Sequence, residues 1–178
     1  MAKPRPIDVV LTPMEEAMAV TLGTGRQEEA LQSKRKDQHG FDGKKGLQIH
    51  IEGAAGEIAF AKAFGLYPGF TINTFKAADI GANIQVRTRS DKRYGLIVRP
   101  DDADDSIFVH VIGARPNYAI MGWMLGWTAK APMYVQTYGD RPPAYFVPSE
   151  DLRDLSDLLV TPVRLPQRPA ETHLEHAF

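Results

Sequence analysis

The stretch Asp79-Ile80-Gly81-Ala82-Asn83-Ile84-Gln85-Val86-Arg87-Thr88-Arg89 decides how the chain reads, because the hydrophobic period changes there from helical to two. In an extended chain Ile84, Val86 and Thr88 point one way and Gln85, Arg87 and Arg89 the other, which predicts a half-buried strand. The Gly-Ala-Asn turn ahead of it separates an acid from that strand, and a tight hairpin brings Asp79 beside it. Asp79, Gln85 and Arg87 also share parity, so a continuous strand would equally gather them on one face.

Working back from this stretch, residues 47–64 carry apolar side chains at helical spacing. Gly53, Ala54, Ala55, Gly56, Ala59 and Ala61 keep that helix thin enough to pack closely on a sheet. Residues 39–46 read as a basic, glycine-rich loop, and residues 13–38 as a polar helix with Thr12 as N-cap and Pro13 at its first position. Two glycines in Gly23-Thr24-Gly25 predict a break in that helix. Working forward, residues 94–98, 107–112 and 118–125 are strand candidates. A short helical piece near 128–133, a strand at 144–147 and a helix after Ser149-Glu150-Asp151, with leucines at 152, 155, 158 and 159, complete the order. The expected organisation is an N-terminal helical segment with its basic loop (1–46), an α/β core with a mixed β-sheet flanked by helices (47–160), and a proline-containing tail (161–178).

Composition narrows the chemistry. The 178 residues are 43% apolar and 24% charged, values of an ordinary folded domain. Lys plus Arg number 21 against 22 acids, so any polyanion site must be local. There is no cysteine, which excludes disulfides, thiolate zinc sites and cysteine nucleophiles, and leaves oxygen and imidazole as metal ligands. No apolar run has the length of a signal peptide core or a membrane span, so a cytoplasmic protein with no membrane partner is expected.

One carboxylate sits on the wrong side of its helix. The neighbours of Glu57 at three and four residues are Gly53, Ala54, Phe60 and Ala61, the face that should meet the sheet. An ionised Glu buried there needs a cation, either a basic side chain or a metal. The oxygens of Asp79 and Gln85 are hard ligands suited to Mg²⁺, and Arg87 could then grip a phosphate bridged to that ion. Between Ile84 and Arg99 lie Arg87, Arg89, Lys92, Arg93 and Arg99 against the single acid Asp91, a local positive stretch. The block from Asp101 to Asp105 that follows reads as a solvated turn. Other groupings fail: His50 and Glu57 are two helical turns, about 10 Å, apart. His173 and His176 fall in the expected tail, and Trp123, Trp127 and Tyr118 read as core more readily than as base-stacking platforms.

Over residues 47–127 these features resemble the PD-(D/E)xK nuclease superfamily, in the form carried by small phage and prophage proteins. The resemblance rests on a helix with Gly53-Ala-Ala-Gly-Glu57, a hairpin acid at Asp79, and Gln85-Val86-Arg87 where the superfamily has an acid, a spacer and a lysine. It implies a restriction-endonuclease-like core and Mg²⁺- or Mn²⁺-dependent hydrolysis of DNA. By that resemblance Glu57, Asp79 and Gln85 hold the metal, Arg87 stabilises the phosphate, and Arg89, Lys92, Arg93 and Arg99 contact DNA. Gln in place of the acid removes one charge from the metal site, and Arg in place of Lys cannot take a proton from water. The alternative it leaves open is a nuclease-fold protein that binds DNA without cutting, or a virion-associated structural subunit, with a second copy or a phage protein as partner.

Overall fold

The computed structural model describes residues 3–32, 43–66, 68, 72, 78–81, 83–91 and 93–159. The first helix, α1 (Pro13–Gln32), opens on a reciprocal cap. Thr12 Oγ1 accepts from the Glu15 N–H at 3.3 Å, while Glu15 Oε2 accepts from the Thr12 N–H at 2.7 Å. Contrary to the expected break, α1 runs unbroken through Gly23-Thr24-Gly25. A Cβ at Gly23 would lie 2.5 Å from the Ile51 Cα of α2 (Gly43–Phe64), so this glycine is where two helices meet backbone to backbone. Close packing offsets its poor helix propensity. The expected loop overlaps α2, which starts at Gly43; the basic run at Lys34, Arg35 and Lys36, the tail from 161 with its two histidines, and Lys92 lie outside the described residues.

Four strands form the central sheet: β1 (Ile7–Val10), β2 (Ile84–Arg89), β4 (Ile107–Ala114) and β5 (Asn117–Leu125), in the order β1-β5-β4-β2. β4 pairs antiparallel with β5 and parallel with β2, so the sheet is mixed. β1 pairs antiparallel with β5, Ile7 facing Ile120. A second, antiparallel sheet contains β3 (Leu96–Val98), β7 (Ala144–Val147) and the two-residue β6 (Val135–Gln136), in the order β3-β7-β6. The helical piece near 128–133 is α3 (Gly126–Ala129) followed by a 3₁₀ turn at Pro132–Tyr134. The last helix, α4 (Leu155–Leu159), starts later than expected, because Ser149–Asp151 forms a 3₁₀ turn and Asp154 Oδ1 accepts from the Ser156 N–H at 3.0 Å.

Strand alternation divides the core. Ile84, Val86, Val109, Val111 and Ile120 pack with Ala54, Ile58 and Ala59 of α2, with Val9 and Ala19 near the N-terminus, and with Leu155 and Leu158 of α4. Phe108 and Met124, on the opposite face, pack with Leu96, Val98 and Val147 of the second sheet. The architecture is mixed α/β in three layers: helices, a four-stranded sheet and a three-stranded sheet. The sheet was expected to be flanked by helices; its second face is instead covered mainly by strands. Among the described residues no helix is long and apolar enough to cross a membrane.

Candidate functional site at the open edge of β2

Among the described residues β2 ends the central sheet, and Asp79 folds back along its outer edge. The Asp79 N–H donates to the Ile84 carbonyl at 2.8 Å, and Asp79 Oδ2 accepts from the Val86 N–H at 2.7 Å. Gly81, at φ 64°, lies in the reversal between Ile80 and Ile84, which bridge across it. This is the tight turn read from Gly-Ala-Asn. It leaves Asp79 half-buried, with a carboxylate oxygen already committed to the backbone.

Glu57 reaches the same edge from the helical side. It is buried at 8% exposure, and its partner is Arg26 of α1. The guanidinium meets the carboxylate through two bonds, Nη1 to Oε1 at 2.6 Å and Nη2 to Oε2 at 2.8 Å. Burial works against the Arg26 charge, yet Glu57, with Asp79 adding, raises its pKa above the usual value. Asp79 shifts in the unfavourable direction: burial first, and then the neighbouring Glu57 charge, push it up to about 7 against the opposing Val86 N–H, Arg87 and Arg26. Two carboxylates therefore share this edge with one arginine bound bidentately to only one of them.

Gln85 and Arg87 lie on the other face of β2. They are in register with Phe108 and His110 of β4, whereas Ile84, Val86 and Thr88 face the helices. Arg87 donates to Gln85 Oε1 at 3.3 Å and to Asp102 Oδ1 at 3.0 Å, with its Cζ 5.1 Å from the Phe108 ring centroid. The structure thus brings Glu57 and Asp79 together and sets Gln85 and Arg87 across the strand from Glu57, although the Arg87 charge still acts on Asp79.

The expected DNA contacts divide as well. Arg93 is exposed and chelates Asp91, Nε at 2.9 Å and Nη2 at 2.6 Å. The Arg99 N–H is fastened to Asp102 Oδ2 at 2.8 Å. Arg89 is half-buried, with its Cζ 5.0 Å from the Tyr94 ring centroid. The acidic block is more than a solvated turn. Besides Asp102 holding Arg87, Lys130 Nζ binds Asp104 Oδ1 at 2.6 Å and the carbonyls of Pro100 and Asp102 at 3.1 and 2.5 Å. Trp123 and Tyr118 are core, with Tyr118 Oη donating to Glu52 Oε2 at 2.6 Å, while Trp127 is exposed.

Arg26 is the site residue that sequence reading missed. Its signal was present: Ala19, Gly23 and Arg26 follow one another at spacings of four and three, so an arginine continues the buried stripe of α1 as Glu57 continues that of α2. The Gly-Thr-Gly sequence read as a break hid that continuity.

As a metal site, the edge supplies two carboxylates. Among the described residues no three His, Asp or Glu side chains gather around one point. That donor set does not fit a dedicated protein cage. Mg²⁺, by contrast, is commonly held by one or two carboxylates, keeps several waters and completes its shell with substrate phosphate. Comparison with protein families, with curated proteins and with solved structures found no match to the chain.

Proposed function

We propose that the open edge of β2 is the centre of a Mg²⁺- or Mn²⁺-dependent nuclease of phage type that hydrolyses DNA phosphodiesters, in a restriction-endonuclease-like core. The observation carrying this reading is the pair Glu57 and Asp79: two carboxylates held close enough that one raises the pKa of the other, an arrangement a divalent cation relieves. When bound, the ion would polarise the phosphate and lower the pKa of an attacking water. Asp79 and Glu57 would hold it, whereas Gln85, on the other face of β2 with its Oε1 bound by Arg87, would take no part in holding it. Arg87 neutralises charge developing on the phosphate. Arg89, Lys92, Arg93 and Arg99 contact the sugar-phosphate backbone, so affinity falls steeply with salt and depends little on sequence.

Nicking of supercoiled plasmid under Mg²⁺ and Mn²⁺ titration tests the proposal. Wild type should nick only with the ion, and Asp79→Ala should abolish nicking while remaining folded. Persistent nicking by that variant would reject the assignment.

A second reading is favoured by a specific observation: both Glu57 oxygens are held by Arg26, and Gln85 Oε1 by Arg87. In it the chain binds DNA without cutting, or serves as a virion-associated subunit beside a second copy or a phage protein. It expects salt-sensitive DNA binding, no nicking under either ion, and no dependence on Asp79.

A further inference from the structure

On the face of the sheet away from α2, one arginine lacks the acid that its neighbours have. Arg87 has Asp102 and Arg93 has Asp91, but Arg89 lies against the Tyr94 ring with its buried Nε–H unpartnered among the described residues. Burial foremost, and then the charge of Arg141, lower its pKa, while only the Tyr94 and Tyr138 phenols oppose them. No carboxylate of the described residues is among the groups acting on it.

The surroundings converge from three elements. Tyr94 precedes Gly95, whose missing side chain lets the backbone sit against the Val147 carbonyl, where a Cβ would lie only 2.4 Å from that oxygen. Two residues beyond Val147, Ser149 Oγ is 3.4 Å from His110 Nδ1. His110 is wholly buried on β4, directly across from Arg87 and one side-chain step along the same face from Arg89. From the β6–β7 connection, Tyr138 folds back until its ring centroid is 4.9 Å from that of Phe146, so this connection, which carries Arg141, turns toward the same region.

His110 is kept neutral: burial, and then the Arg89 charge, push it down to about 4. Its Nδ1 is paired with the Ser149 hydroxyl, and its Nε2 has no partner among the described residues. Two buried nitrogens, Arg89 Nε and His110 Nε2, thus stand without partners among the described residues on one face of adjacent strands. The group that suits the Arg89 guanidinium is an anion with several acceptor oxygens, and the tetrahedral oxygens of a phosphate match its fork as a carboxylate does.

We propose that Arg89, bounded by Tyr94, Arg141 and the His110–Ser149 pair, forms a binding site for a single phosphate group on the face of the central sheet opposite α2. The site is separate from the edge where Glu57 and Asp79 meet, and it does not depend on whether that edge cuts DNA. The phosphate could be carried by a nucleic-acid strand end or arrive as the free ion, and the experiment separates these sources.

The full chain is titrated calorimetrically with inorganic phosphate, then with one oligonucleotide carrying a 5′-phosphate or a 5′-hydroxyl. Arg89→Gln should weaken phosphate binding by about tenfold or more, and Asp79→Ala should leave it unchanged. Failure of the nuclease reading would therefore not register here. A preference for the 5′-phosphorylated strand that vanishes in Arg89→Gln supports a strand end. Arg89-dependent binding of inorganic phosphate without that preference supports the free ion. Wild-type affinity in Arg89→Gln, or no binding of any of these probes, overturns the proposal. Should Arg89→Gln fail to fold, the wild type still decides: phosphate, but not chloride at equal ionic strength, should shift the His110 ring resonances. Unmoved resonances at a phosphate concentration well above the affinity range expected of such a site overturn it.

Discussion

The two faces of β2 handle charge in opposite ways. On the helical face, Arg26 and Glu57 arrive from two different helices, each as the continuation of a small-residue stripe, and meet bidentately out of water. On the other face, the arginines come from the strand itself at alternate positions; Arg87 finds a carboxylate in a loop and Arg89 finds an aromatic ring. The helical face is closed by backbones in contact, and the Glu57 charge is paired there within the fold. The strand face is closed by side chains and keeps positive charge in reserve. The comparison shows how a buried ion pair between two helices and a row of arginines can lie on opposite faces of one strand.

The largest effect expected from breaking this contrast is at Arg26. Arg26→Ala leaves Glu57 buried beside Asp79 with no bidentate cation, and should cost about 3–5 kcal/mol in urea unfolding. The double variant Arg26→Met with Glu57→Leu should recover most of that loss, because it removes both charges. If the double variant is no more stable than Arg26→Ala, the helical face is not held together as described.

Gly23→Ala should cost about 1–3 kcal/mol, since the new methyl meets Ile51 backbone that cannot give way. Gly53, on the same pair of helices, has nothing within 4 Å of the position an added methyl would take, and Gly53→Ala should stabilise by about 0.5–1 kcal/mol through helix propensity. Loss of stability from both substitutions would remove the distinction between a glycine needed for contact and one that is not.

Asp79 sharpens the contrast through pH. Its folded pKa, about 7, lies above the unfolded value, so the stability it contributes is complete below about pH 4 and is lost as pH rises through 7. Wild type should therefore weaken relative to Asp79→Asn across that window, by an amount on the order of 2 kcal/mol once partial solvation is allowed for. A pH-independent difference between the two proteins would show that neither burial nor Glu57 raises the Asp79 pKa in the fold. A comparably small effect belongs to the strand face: Arg87→Ala, losing a partly solvated pair with Asp102, should cost only about 1 kcal/mol.

Much of this arrangement was legible locally. The parity of β2, the turn ahead of it, the cap at Thr12 and the strand at residues 144–147 each depend on a few neighbouring residues, and each appears where the pattern placed it. The misplacement of Glu57 was legible too, including its need for a cation, but not which cation. That answer lay 31 residues away on another helix, at a position masked by glycines whose usual meaning is a break. Sheet partnership was illegible for a similar reason. Nothing within β2 or β4 announces that they run parallel, and the segment between them contains β3, which belongs to the other sheet. The strand Ile7–Val10 is four residues long with an acid at its second position, too short for a period to register.

That short strand has a consequence for how the protein is made. Among the described residues β1 pairs with β5, Ile7 against Ile120, so this strand has no sheet partner until roughly 110 further residues have been synthesised. At ordinary translation rates that is an interval of about 6–20 s, during which Ile7, Val9 and Val10 travel as an unpaired sticky edge. β1 can therefore join the sheet only once β5 has been made.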